Sequence, residues 1–280
     1  MNSDKKDIET EVETIKKSVF TVELSLKYKE VDHPIPIDSE QSILTLPVPK
    51  TYEDIFAECH ESFKNIDQYL ASANYYPQRE HIFRALHETP LDKVRVIILG
   101  LDPYPQTFDG SHCYANGLAF ATNAPDIPLS LQNIYKELQR SYTTFVIPKH
   151  GNLTPWCKQG VLLLNASLTV EEKKPKSHAK IWYHLITEII TKVTEIRKSP
   201  IIVFWGRDVE NLEEYASNST IRLKSNHPAS ENRKTRKSAQ PPKKIKNAFH
   251  GNNHFKLIND HLRKLGEEEI NWALIGTGKT

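Results

Sequence analysis

Four short runs in this chain, three of them apolar, each end in residues able to do chemistry. VRVIILG (Val94–Gly100) is followed by Leu101, Asp102, Pro103 and Tyr104. VLLLNA (Val161–Ala166) carries Asn165 near its end. IIVFWG (Ile201–Gly206) leads into Arg207 and Asp208, and IRLKS (Ile221–Ser225) into Asn226, His227 and Pro228. A carboxylate and a phenol after the first run, a carboxamide at the end of the second and an imidazole after the fourth therefore occupy equivalent places. Such a set holds an anion for electrostatic or acid–base work, an amide that can donate and accept on one ligand edge, and a ring N–H donor.

The elements around these residues decide whether they meet. VRVIILG is a short β-branched run with no room for a helix, VLLLNA reads as a second, buried strand, IIVFWG as a third and IRLKS as a fourth. Helical spacing of apolar residues covers Tyr52–Ala71, Gln78–His87, Leu129–Tyr142, His178–Arg197 and Lys256–Leu265. Ser130 is placed to cap the third of these. Strands separated by helix-length segments require crossover connections, hence an α/β fold with a central four-stranded parallel sheet flanked by helices on both faces. Ligands of such sheets bind outside the carboxyl ends of the strands. The four strand ends are thus expected to converge on one rim. No glycine-rich phosphate loop follows Leu99, which argues against a nucleotide-binding enzyme on a doubly wound sheet.

Composition narrows the classes further. The chain has 280 residues, 38% hydrophobic and 26% charged, enough for a real core. No apolar stretch reaches the roughly 18–20 residues of a membrane helix. Three cysteines, Cys59, Cys113 and Cys157, are too few and too scattered for a disulfide scaffold or a cysteine zinc knuckle. The N-terminus lacks an apolar signal region, so an intracellular, reducing setting is expected. Residues 1–50 carry seven Lys/Arg against ten Asp/Glu and end in a proline-punctuated stretch. They read as a partly disordered tail, with a short helix or strand around Val19–Leu26, ahead of a domain at 51–280; the alternative is an extra layer packed on that domain. The net charge of +2 is unremarkable, but Glu231–His250 holds seven basic residues against one acid. These are Arg233, Lys234, Arg236, Lys237, Lys243, Lys244 and Lys246, within a basic insertion at 231–248. Directly after the His227 strand end, such a stretch reads as a grip on phosphates; it also reads as a nuclear-import signal.

Five ordered motifs carry a resemblance. GLDPY (Gly100–Tyr104), NGLAF (Asn116–Phe120), LSLQNIYKEL (Leu129–Leu138), WCKQGVLLLNASLTV (Trp156–Val170) with Ser177-His178, and NHPAS (Asn226–Ser230) stand in the order and approximate spacing of family 1 uracil-DNA glycosylases. The resemblance spans about residues 52–275. It implies a uracil-DNA glycosylase-like α/β/α sandwich and hydrolysis of the N-glycosidic bond between uracil and deoxyribose, without metal or cofactor. The base must first be flipped from the stack. By the same resemblance Asp102 is the catalytic carboxylate beneath the sugar, and His227 donates to uracil O2 as the base leaves. Asn165 reads O4 and N3–H. Tyr104 walls off C5 and so excludes thymine, Phe120 stacks on the base, and the backbone near Leu101 adds contacts. Ser130, Arg207 and Ala229 fall at DNA-phosphate positions. Uracil-containing DNA, single- and double-stranded, is the implied partner. Protein inhibitors that mimic DNA and a replication partner come with the family, and a monomer is expected.

The sequence also departs from the family. Pro105 stands where most members have histidine, as in poxvirus-like members, and the interval from Asp102 to Phe120 is longer than usual. His112 in that loop is a candidate replacement donor. After His227, Ala229 replaces a phosphate-binding serine and Glu231 stands where an apolar wedge is usual. The missing wedge predicts activity on both kinds of DNA with a preference for single strands, and the phosphate contacts of Arg207 and the basic insertion predict steep salt dependence. These departures also motivate the alternative of a DNA-binding replication or processivity component with weak or lost glycosylase activity.

Overall fold

The computed structural model describes residues 42–232 and 247–274. The helical pattern over Tyr52–Ala71 forms two helices, α1 (Glu53–Glu58) and α2 (His60–Leu70), broken at Cys59, whose backbone sits at φ −92°, ψ 13°. β1 (Tyr75–Tyr76) follows. The pattern over Gln78–His87 resolves into a 3-10 turn at Arg79–His81 and a short helix, α3 (Arg84–Glu88). Next come β2 (Val96–Gly100), α4 (Leu129–Ser141), the single-turn α5 (Thr154–Cys157), β3 (Val161–Asn165) and β4 (Val170–Glu171). The long α6 (Ala179–Ile196), β5 (Ile201–Trp205), β6 (Ile221–Ser225) and α7 (His254–Lys264) complete the order.

The expected sheet is present. Its order is β3-β2-β5-β6, and every pairing is parallel. All residues of β2, β3 and β5 are buried, which is why their sequences are unbroken apolar runs rather than alternations. β6 lies at the edge, and its Arg222 and Lys224 both pair with Glu213, charges that blunt an otherwise open strand edge. The register aligns Gly100 with Asn165, Leu99 with Phe204, and Trp205 with Ser225. All four strands therefore release the chain at one level of one sheet edge. Helices flank the sheet in two groups, α1 and α2 against α6, and α4 against α7.

A two-stranded antiparallel ribbon, β1 with β4, has no counterpart in the sequence reading. Two residues per strand leave no periodicity to detect. Residues 42–50, read as the end of a tail, pack on the domain. Ile43 is fully buried, its N–H donates to Asp67 Oδ1 at 2.6 Å, and Ser42 Oγ donates to the same carboxylate at 3.0 Å. The rest of that tail reading, residues 1–41 with Val19–Leu26, lies outside the described residues.

Candidate active site

The loops leaving β2, β3, β5 and β6 enclose one cleft of about 690 Å³. Leu101, Asp102, Tyr104, Phe120, Ser130, Asn165, Arg207, His227 and Ala229 all line it. Nine positions read from the sequence thus share one space, as the parallel topology requires. The basic residues Arg233, Lys234, Arg236, Lys237, Lys243, Lys244 and Lys246 lie outside the described residues. Of that segment's described flanks, Asn232 ends the 3-10 turn that begins at Pro228, and Asn247 O accepts from Asn226 N at 2.7 Å; Asn226 itself lines the cleft.

Asp102 is partly buried, and its Oδ2 accepts the backbone N–H of Lys176 at 2.6 Å. Burial raises its proton affinity above the ordinary aspartate range, while the Lys176 N–H and charge pull the other way. Tyr104 is held at its far end. Its hydroxyl donates to Phe120 O at 2.9 Å and lies 2.8 Å from Ser130 Oγ. Two partners on one phenol fix the ring as a wall rather than a swinging gate. Ser130 does not cap α4 as expected. Pro128 takes the N-cap position, and Ser130, inside the first turn and 5% exposed, bonds Tyr104 instead.

Phe120 has φ +65°, a left-handed conformation that is costly for an aromatic residue. The surroundings impose it. Tyr104 holds the Phe120 carbonyl, and the ring packs edge-on against Trp205 with centroids 5.3 Å apart. Asn116 and Arg84 secure the loop that delivers it: Asn116 Oδ1 accepts Leu118 N at 3.2 Å, and Arg84 donates to Asn116 O at 3.0 Å. The His227 ring stands 5.9 Å from that of Phe120.

Asn165, 6% exposed, ends β3 with its amide pressed against Gly100 of β2. A Cβ built on Gly100 would lie 2.2 Å from Asn165 Oδ1. The missing side chain of Gly100 is the room the amide occupies. His227 Nδ1 accepts the backbone N–H of Ala229 at 3.1 Å. An Nδ1 that accepts places the ring N–H on Nε2. Asn133, fully buried in α4, donates to Pro228 O at 2.8 Å and anchors the turn that carries Ala229. Gly206, at φ +123°, brings its backbone against the His227 Cβ, where a side chain would be strained.

His112 does not act as a replacement donor in the cleft. Its Nδ1 lies 2.5 Å from Asp109 Oδ2, its ring stacks on Phe108, and it is absent from the cleft lining. Among the described residues no group of three or more His, Cys, Asp or Glu is arranged to hold a metal ion.

A model of the uracil DNA glycosylase superfamily matches residues 86–263, the stretch that contains every cleft residue named above. The chain belongs to that superfamily. Among curated relatives, the uracil-DNA glycosylase of Francisella tularensis subsp. novicida (strain U112) is 39% identical over 237 residues, covering 80% of this chain and 99% of that protein. That of F. tularensis subsp. tularensis (strain WY96-3418) is 38% identical over the same length and shares of both chains. Among solved structures, a mimivirus UNG variant in complex with UGI matches with TM-score 0.74 at 25% identity, over 86% of this chain and 100% of that one. The mimivirus uracil-DNA glycosylase itself matches with TM-score 0.72 at 28% identity, over 82% and 88%. For this uracil-DNA glycosylase family member, sequence reasoning missed Gly100, Asn133 and Lys176. Gly100 opens the GLDPY motif, and its small size at a strand end was the available signal. Lys176 reaches Asp102 from 74 positions away through a backbone N–H, which leaves no trace in side-chain chemistry.

Proposed function

We infer that this chain is a hydrolase of base-excision repair that takes uracil, flipped out of DNA, and cleaves its N-glycosidic bond to leave an abasic site. The observation that carries this reading is the gathering of Asp102, Tyr104, Phe120, Asn165 and His227 around one cleft.

Each residue then has a role its surroundings support. Uracil lies on Phe120, its C5 edge against the fixed Tyr104 ring. The Asn165 amide gives N–H to O4 and accepts from N3–H. Cytosine reverses both polarities and would leave buried groups unpaired at about 1–3 kcal/mol each. As the glycosidic bond lengthens, positive charge grows on the sugar and negative charge on uracil. The Asp102 carboxylate stabilises the first and orients water for attack at the sugar carbon. The His227 Nε2–H stabilises the second at O2. A neutral imidazole suffices, because the Ala229 N–H on Nδ1 already fixes the tautomer.

DNA reaches the cleft through phosphate contacts at Arg207, at the start of α4 beside Ser130, and along the basic segment 233–246. Glu231 gives the Pro228–Asn232 turn no apolar wedge at that position, so single strands, already unstacked, are the preferred substrate. The alternative of a binding component without catalysis has no observation in its favour. UGI, which is bound to mimivirus UNG, is expected to block the same cleft here.

The test is release of uracil from an oligonucleotide in the presence of chelator. Wild type is expected to be active, more so on single than on matched double strands and steeply less so with added salt. Asp102→Asn and His227→Leu are each expected to fall by about 10²-fold or more. Full activity in both variants would overturn the reading. Equal initial rates on the two substrates would remove the strand preference alone.

A further inference from the structure

Beside Asp102 stands an ion pair with no part in the steps above. Lys176 Nζ lies 2.6 Å from Asp208 Oδ1, and the backbone N–H of the same lysine donates to Asp102 Oδ2 at 2.6 Å. The pair ties the loop after β4 to the turn after β5. Lys176 sits at φ +68°, a conformation its side chain disfavours. The surrounding loop imposes it. Glu171 N donates to Ser177 Oγ at 2.8 Å, and the fully buried His178 is bonded through Nδ1 to Thr169 Oγ1 at 2.8 Å. This shape turns the Lys176 N–H towards Asp102 and its ammonium towards Asp208.

Among the described residues, two charged side chains act on Asp102 from opposite loops, Lys176 and Asp208; Arg207 and His227 line the same cleft. Without its lysine, Asp208 would be a bare carboxylate close to Asp102, and like charges drive one such group to hold its proton. Bound DNA phosphates add to that negative potential.

We propose that Lys176 is a positioning residue for the glycosylase reaction: its N–H fixes the Asp102 carboxylate, and its ammonium cancels the field of Asp208 at that carboxylate. The proposal rests on the reading of Asp102 as the working anion. Burial already favours the protonated form of Asp102, and the two Lys176 contacts oppose it. The loss of the ammonium therefore leaves less of the anion at mildly acidic pH.

The experiment is the pH dependence of kcat/KM for uracil release from a single-stranded oligonucleotide. It uses the full chain as wild type, Lys176→Met, Asp208→Asn, the double variant and Asp102→Asn. On the acid limb, Lys176→Met is expected to lose about threefold relative to its own plateau and Asp208→Asn to gain about as much, the scale of a solvent-exposed ion pair. The double variant should return close to wild type. A merely structural pair would lower the plateau in both single variants and leave the limb in place. Superimposed limbs, or limbs that move the same way in both single variants, would overturn the proposal while an inactive Asp102→Asn leaves the functional reading standing. An active Asp102→Asn would overturn both. Should Lys176→Met fail to fold, the downward movement of the limb in Asp208→Asn decides alone.

Discussion

Gly100→Ala separates stability from catalysis in this fold. The new methyl would meet Asn165 Oδ1 at 2.2 Å, whereas real contacts of this kind are essentially never under 3.0 Å. The amide must therefore retreat by about 1 Å. It is the end of a flexible side chain, so the retreat is cheap for the fold, and alanine in a strand recovers about 0.5–1 kcal/mol of glycine's entropic penalty. The site has no such tolerance. A displacement of about 1 Å costs on the order of 10²-fold in a positioned reaction, and the two hydrogen bonds proposed from Asn165 to uracil would be lost or bent together. Single-turnover uracil release, read as alkali-labile abasic sites, should fall by about 10²-fold, while the urea midpoint moves little. The same displacement frees the amide to reorient, so the ratio of uracil to cytosine excision should narrow. A variant within threefold of wild type in kcat/KM would refute the claim that Gly100 makes the room for the reading amide.

Three further outcomes follow from particular contacts. Tyr104→Ala removes a ring pinned by Phe120 O and Ser130 Oγ. Abasic sites should then appear at thymines in a uracil-free oligonucleotide, and uracil release should drop; no thymine release above wild type would contradict the wall. Glu137 is fully buried as a carboxylate bonded to Arg140, Gly251 N and Asn253 N, contacts that hold its proton affinity below the usual glutamate range and tie the start of α7 to α4. Its depressed folded-state value means its contribution is complete above the unfolded value near 4.3 and fades as pH falls through the folded one. Glu137→Gln should therefore cost about 1–3 kcal/mol at pH 7 by urea denaturation, and progressively less as pH falls through the folded-state value. His254, 4% exposed, accepts from Trp205 Nε1 at 3.1 Å, and burial pushes its pKa down to about 4. Below the unfolded value near 6.5 only the unfolded chain takes up that proton, so the wild type should lose about 3 kcal/mol between pH 6.5 and 4. His254→Asn, which keeps an acceptor for Trp205, should flatten that slope.

The parts of the fold legible in the sequence were those that bury both faces. Val96–Gly100, Val161–Asn165 and Ile201–Trp205 are the wholly buried five-residue strands among the described residues, and their burial on both faces is why their sequences are apolar runs. Their parallel order then placed the cleft, since each chemical residue follows a strand end. Interruptions were not legible. Cys59 breaks a helix whose apolar spacing continues across it, and the β1–β4 ribbon is too short for any pattern. The capping role expected of Ser130 fails because capping preference is local, whereas its hydroxyl is claimed by Tyr104, 26 positions earlier. The devices that tune the site were invisible for the same reason. The tautomer of His227 is set by a backbone N–H, the orientation of Asp102 by another, and the seat of Asn165 by the absence of a side chain.

The most direct measurement is a crystal of the protein with uracil in the cleft, grown by soaking or from cleaved uracil DNA. The base should lie on Phe120, with O4 and N3 at the Asn165 amide, O2 at His227 Nε2, C5 against the Tyr104 ring, and Asp102 below the vacated sugar position. Uracil bound elsewhere, or bound here with its C5 edge turned to Asn165, would contradict the assignment of the cleft.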